Sequence, residues 1–264
     1  MLIADSLAIA GRHLPLLEPT SLVVARGELL LVAAEPQPTR TALSLGLSAR
    51  MRPTRGSVSW SGNAAMRTVR RVSALVDSPE INEPEAHLKV RDLVAEDLAL
   101  QPGPIWRRNG IDAWMKKHHI DALANEWLDA IDPLERLGLL TQLALEDRGV
   151  ELLVFDSPDR HGIPEDDWLR FLESVATGRR APAVMAVVQR IPEHWDGSRA
   201  WAGRVQDKLA AAPEPEEETE AAAAPRENSE ESEAENSAAV AEPIPDDAAP
   251  AEPTTALTAS KDLP

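Results

Sequence analysis

Three groups of residues in this chain of 264 carry side chains that chemistry could use. Ser157, His161 and Asp166 supply a nucleophile, a base and a carboxylate, the types of a hydrolase triad. No Gly-x-Ser-x-Gly elbow presents Ser157, so that reading has little behind it. His118 and His119, followed by Asp121, are metal-ligand types. Adjacent histidines on a helix point about 100° apart, no third ligand stands at useful spacing, and a surface cluster with Lys116 and Lys117 is the better reading. The third group is Asp156-Ser157-Pro158, closing the apolar run Leu152-Leu153-Val154-Phe155. It follows, by about 115 residues, a strand-loop-helix pattern that opens Gly27-Glu28-Leu29-Leu30-Leu31-Val32.

The elements around that pair of landmarks read as follows. Met1 to Ala10, Thr20 to Ala25, Glu28 to Ala33 and Gly56 to Gly62 have the patterning and turn punctuation of short strands, with Arg26-Gly27 as a turn. Thr39 to Arg52 is the best helix candidate after a strand and loop, through Leu43, Leu45, Leu47 and Met51. Val72 to Val76 is a further buried strand, and Leu88 to Leu100 has helical spacing until Gln101-Pro-Gly-Pro104 stops it. The pattern stays helical to Arg148. Asp132-Pro133-Leu134-Glu135 predicts a helix start: an Asp N-cap, Pro at the first helical position and Glu closing a capping box, with the helix running to about Asp147. Glu151 to Asp156 is a core strand, Glu165 to Ala176 a helix, Ala183 to Val188 a core strand, and Ser198 to Ala210 a short strand pair or strand plus helix. Strands alternating with helices predict a mostly parallel sheet.

Composition changes near Ala211. From there to Pro264 the chain has 15 acidic residues against Arg226 and Lys261, eight prolines and no aromatic residue. Such a segment cannot bury enough apolar surface to offset its ordering entropy, and disorder is expected. The tail carries most of the formal charge of −17, so the acidic balance says little about the folded surface, and no basic face for nucleic acid is indicated. The chain has no cysteine, which excludes disulfides, thiolate metal sites and a Cys nucleophile. The N-terminus alternates like a strand, meets Asp5 early and lacks the basic start of a signal peptide. No apolar run reaches 18 residues, so no direct membrane insertion is expected.

Gly27-Glu28, the loop and helix after it, Gly56 to Gly62, the capped helix at Asp132 and Leu152 to Pro158 stand in the order found in the nucleotide-binding subunit of an ABC transporter. Residues 1 to 207 resemble that family. The resemblance implies a P-loop NTPase α/β fold: a RecA-like core, an N-terminal antiparallel β portion and a helical subdomain at about 86–148, within a domain of residues 1–210. It implies ATP and Mg²⁺ as cofactors. The residues aligned with the Walker A motif are Ala34-Glu35-Pro36-Gln37-Pro38-Thr39-Arg40-Thr41. Both glycines are replaced, Pro36 and Pro38 lack the N–H groups of a phosphate cradle, and Glu35 adds a negative charge. Arg40 keeps a cation without the Lys geometry, and Thr41 keeps the Mg²⁺-binding hydroxyl. At the signature position stand Asp132, Pro133, Leu134 and Glu135, a good helix cap and a poor anion site.

At the Walker B position Asp156 is retained, either for Mg²⁺ or as the polar end of a buried strand. Ser157 stands where the family has its catalytic Glu, and a hydroxyl cannot serve as that general base. Gln189 aligns with the switch His, Asp77 or Ser78 with the Q-loop, and Asp159-Arg160-His161-Gly162 with the D-loop. No aromatic residue precedes Trp60 to stack on adenine. The expectation is a degenerate ATP-binding-cassette subunit, cytoplasmic, docked on a membrane-spanning transporter-like subunit through the surface near residues 77 to 110, with little or no hydrolysis. A second ABC subunit as partner, with this chain as the ATP-binding half of a hetero-pair, is one alternative. A nucleotide-independent scaffold acting through the acidic tail is the other.

Overall fold

The computed structural model describes residues 1–101 and 110–205. The acidic segment from Ala211 onward, expected to be disordered, lies outside the described residues.

Two sheets organise the chain. β1 (Leu2–Ile9), β2 (Leu17–Val24) and β4 (Arg55–Trp60) form an antiparallel sheet in the order β2-β1-β4. β3 (Leu29–Ala33), β5 (Ser73–Val76), β6 (Leu152–Asp156), β7 (Ala183–Val188) and β8 (Ser198–Trp201) form a parallel sheet in the order β5-β6-β7-β3-β8. The inner strands of the parallel sheet, β3, β6 and β7, are apolar on both faces because both faces are covered. Period-2 alternation then sorts each strand. Leu30, Val32, Val154 and Met185 point to a core shared with α1 (Gln37–Leu47) and the antiparallel sheet. Leu31, Phe155, Val184 and Ala186 point the other way, onto Trp168, Leu169 and Leu172 of α6 (Glu165–Thr177). α1 lies between two sheets, which is why its run Ala42–Leu47 is buried all round.

A third cluster joins α3 (Val90–Leu100), α4 (Ile111–Lys117) and α5 (Pro133–Ala144) around Trp114, with Val90, Val94 and Leu98 forming the α3 stripe. α5 faces two ways: Leu137 packs against the parallel sheet, while Leu139 and Leu143 pack against α3 and α4.

Several boundaries differ from the sequence reading. β2 begins at Leu17 rather than Thr20. The expected helix Thr39–Arg52 begins earlier and ends earlier: Pro36 is its N-cap and Pro38 its second residue, positions where a missing N–H costs nothing, and the chain reverses at Ala49 with φ 55°. A helix, α2 (Met66–Val72), takes up Val72, which was expected in a strand; it buries only Val69, too little for a periodic signal. The continuous helical stretch to Arg148 is broken: between α4 and α5 lie a 3-10 turn (Asp121–Leu123) and irregular chain, where Lys89 pairs with Trp127 as a β-bridge. α5 ends at Ala144 rather than Asp147. After β8 the chain turns and Val205 bridges to Ser21.

Candidate functional site

β3 ends at Ala33, the amide of Ala34 donates to the Val188 carbonyl at 3.0 Å, and α1 has already begun at Gln37. The connecting loop is therefore only Ala34-Glu35-Pro36. Its backbone offers few donors. Pro36 and Pro38 have none, and the Thr39 and Arg40 amides donate to the Pro36 carbonyl at 2.9 and 3.2 Å.

The Arg40 side chain turns back onto this loop. Its Nε donates to Ser157 Oγ at 2.9 Å and to Gln37 Oε1 at 3.0 Å, Nη1 donates to the Ala34 carbonyl at 3.1 Å, and Nη2 also reaches Gln37 Oε1. Gln37 is the hub: its Nε2 donates to Thr41 Oγ1 at 3.1 Å and, more weakly, to Asp156 Oδ1 at 3.4 Å. Ser157, at φ 58° at the end of β6 with its N–H donating to the Val187 carbonyl, has Gln37 Oε1 and Asp156 Oδ1 each at 3.0 Å as acceptors for its one hydroxyl proton. Asp156 is 1 % exposed and also accepts from Ser78 Oγ at 2.6 Å. The structure thus brings Arg40, Thr41, Asp156 and Ser157 together, and every one of their polar ends meets a protein partner. Gln189 lies to one side: its Nε2 donates to Glu35 Oε1 at 2.9 Å and its amide to Asp159 Oδ2 at 2.9 Å. Beyond Glu35 and Gln189, a cavity of about 800 Å³ opens past the ends of β3, β7 and β8, with Trp201 and Arg204 stacked at 5.1 Å on its wall.

A second polar group adjoins the first through Ser78. Asp77, 5 % exposed and at φ 54°, takes Arg136 Nη2 of α5 at 3.0 Å, Arg160 Nη2 at 3.2 Å and His161 Nε2 at 2.6 Å. Its backbone carbonyl accepts from Arg160 Nη1 at 2.5 Å, and Glu83 shares Arg160 at 2.9 Å and Arg136 at 3.6 Å. Burial works to raise the Asp77 carboxyl above its usual range. The hydrogen bond from His161 and the charges of Arg160 and Arg136 outweigh burial and hold it below. α5 is tied in this way to the turn after β6.

Other candidates disperse. Asp132 Oδ1 accepts from the Leu134 amide at 2.8 Å and the Glu135 amide at 3.3 Å, so the N-cap is present. Glu135 is exposed, and no bond from it back to Asp132 closes the capping box among the described residues. Asp132, Pro133, Leu134 and Glu135 make no hydrogen bond to the Arg40 and Asp156 group. The triad of Ser157, His161 and Asp166 does not assemble, since His161 serves Asp77 and Asp166 pairs with His194. No group of three metal-ligand side chains occurs among the described residues, and the half-buried His118 stacks on Trp114 at 4.3 Å. Gln37, Ser78 and Asp77 carry much of the site. Their sequence signal was position: Asp77 and Ser78 follow a buried strand at the place aligned with the Q-loop, and Gln37 sits between two prolines in the stretch aligned with Walker A.

Comparison with solved structures gives the fold. The chain is similar to an ABC transporter ATP-binding protein from Pyrococcus furiosus, with 18 % identity, 75 % of this chain and 96 % of that one covered, and a TM-score of 0.55. It is similar to cbiO1 from Clostridium perfringens, part of the ABC transporter complex cbiONQ, at 13 % identity over 72 % of this chain and 78 % of that one, TM-score 0.54. A bacterial ABC transporter cassette solved as a dimer matches at 13 % identity, 72 % and 88 % coverage and TM-score 0.55. No protein-family model and no curated protein matches the chain. The antiparallel sheet, the five-stranded parallel sheet and the helices between its strands therefore make up the fold of an ABC transporter ATP-binding cassette.

Proposed function

We propose that this chain is a degenerate cassette subunit of an ABC-transporter-like system that works by docking on a membrane-spanning partner, binds ATP weakly or not at all and hydrolyses little or none. The carrying observation is the Arg40 guanidinium, which is folded into the loop and bonded to Gln37, Ser157 and the Ala34 carbonyl. A phosphate would have to displace those bonds and find a cradle without the amides of Pro36 and Pro38. Thr41 and Asp156, the Mg²⁺ ligands that the fold implies, are engaged by Gln37 and Ser78. The residues present fit neither ATP nor Mg²⁺ well, and Ser157 offers no general base.

The docking surface in this reading is a cleft of about 520 Å³ where β5 and α2 face α3 and α5. Its walls carry Leu93, Leu140 and Arg71, and Leu100 on its rim is 82 % exposed. Ile81, at 52 %, is another large apolar side chain left in solvent nearby in sequence. Among the described residues no helix is long and apolar enough to cross a membrane. The working unit would be residues 1–210, with the helical part at about 86–148 gripping the partner at the cytoplasmic face and the acidic tail left free.

The test is calorimetry of the full chain with MgATP. No saturable heat is expected up to about 5 mM, weaker than about −3 kcal/mol of binding free energy. Ser157→Glu is expected to restore no hydrolysis. Micromolar binding lost in both Arg40→Ala and Asp156→Asn would replace this reading with that of an ATP-binding half. Docking has its own check: Leu100→Asp replaces the exposed apolar side chain on the rim with a charge and is expected to weaken capture of the membrane partner by about thirtyfold.

A further inference from the structure

Cations also gather in a cleft that serves neither polar group described above. This cleft, about 580 Å³, lies between the end of α4, the C-terminal end of α5 and the turn that joins α6 to β7. It is lined by Lys117, His118, Glu146, Arg148, Arg179 and Arg180, in a chain whose formal net charge is −17.

Two of these residues have structural work. Arg180 donates to the carbonyls of Leu145, Asp147 at 3.1 Å, Arg148 at 3.2 Å and Val150 at 2.8 Å. It neutralises the C-terminal end of α5, which would otherwise repel an anion. Glu146, the carboxylate in the lining, accepts from Trp114 Nε1 at 2.9 Å and pairs with Lys117 at 3.6 Å. What remains is short of acceptors. Arg148 and Arg179 are exposed and have no ion pair or side-chain hydrogen bond among the described residues. His118 Nε2 is buried with no hydrogen-bond partner among them. Burial and the neighbouring Lys117 hold the His118 ring below its usual pKa, with Glu146 opposing them and His119 adding to them.

We propose that this cleft binds a phosphate group, held by the Arg148 and Arg179 guanidiniums beside the His118 ring. Guanidinium forks match phosphate oxygens two at a time, and a dianion has enough oxygens and charge to engage both arginines together. A single carboxylate does not. The phosphate belongs either to a soluble phosphate ester or to a lipid headgroup. This site is separate from the loop at Arg40 and does not depend on how that loop treats ATP.

The experiment uses the full chain and two probes: pyrophosphate, and zwitterionic lipid vesicles with and without phosphatidic acid. Calorimetry and the histidine ring resonances are the readouts. Pyrophosphate is expected to saturate with a Kd of about 0.1–1 mM at low salt, weakening as salt rises. The His118 ring pKa is expected to rise on saturation, because a nearby anion favours the imidazolium. The double variant Arg148→Gln, Arg179→Gln is expected to weaken binding at least about tenfold with an unchanged thermal midpoint. Arg40→Ala is expected to leave binding intact. Binding of phosphatidic acid vesicles without pyrophosphate binding, lost in the same double variant, supports the cleft and identifies a lipid headgroup. The proposal fails if neither probe binds, if the double variant binds as the native chain does, or if saturation leaves the His118 ring unmoved.

Discussion

Asp77→Ala is expected to destabilise the protein by about 3–5 kcal/mol, the range found when one partner of a buried ion pair is removed and the other is left uncompensated. Arg136 and Arg160, with side chains 16 % and 20 % exposed, would both lose their buried anion. Glu83 would be left to face them. In a domain of this size the thermal midpoint should fall by roughly 10 °C or more. Asp77→Asn keeps the shape and removes the charge, and it gives the pH signature. The native Asp77 carboxyl sits below its ordinary value of 3.8, so its stabilisation is fully present above that value and is lost as pH falls through the depressed one. The gap between native protein and Asp77→Asn in denaturant unfolding should close as the pH falls below about 4. A gap that stays open in acid would assign the effect to packing. Hydrogen exchange should show α5 loosening first, since Arg136 is what ties it to Asp77 after β5.

Gly56→Ala is the other large expected loss. Gly56 lies in β4 opposite the bulge of β1, at φ 72°, and a Cβ there would stand 2.1 Å from the Ser6 carbonyl oxygen and 2.3 Å from that of Asp5. Both obstacles are backbone, so neither can rotate away. A left-handed conformation costs an L-residue about 1–2 kcal/mol, and overpacking adds about 1–3 kcal/mol. A loss of about 3 kcal/mol, or roughly 10 °C in the thermal midpoint, is expected. Gly62→Ala is the control: φ is 79° there, but nothing lies within 4 Å of the added carbon, so only the conformational cost of about 1 kcal/mol should appear. Equal losses in the two variants would refute the role assigned to the β1 bulge.

The strongest strands of this fold were readable from the chain because they are buried on both faces. Ala183–Val188 and Leu152–Asp156 are uninterrupted apolar runs, and α6 shows its stripe through Trp168, Leu169 and Leu172. The start of α1 was not readable in the same way. Pro36 and Pro38 look like loop residues in a linear reading, yet both suit the first turn of a helix, and only the length of β3 decides between the two. α2 escaped because a helix that buries Val69 alone has no period to detect. In the site, Arg40, Thr41, Asp156 and Ser157 could be named through their order along the chain. Gln37 and Asp77 also stood in aligned stretches, but what they bond to could not be named, because the partners are long-range: Asp77 meets Arg136, Arg160 and His161 from two other segments, and hydrogen-bonding polar residues leave no periodic trace in sequence.

The inward turn of Arg40 has a thermodynamic consequence. A ligand that binds only the folded state stabilises it by about 4 kcal/mol at a thousand times its Kd, and that stabilisation rises and falls with ligand concentration. Side chains of the same chain are not diluted and are never exhausted. With Arg40 and Gln37 closing the loop onto Ser157 and Asp156, the cohesion between α1 and β6 is supplied from within. On the reading proposed above, a partner gripping this domain would meet the same surface in a starved cell as in a well-fed one.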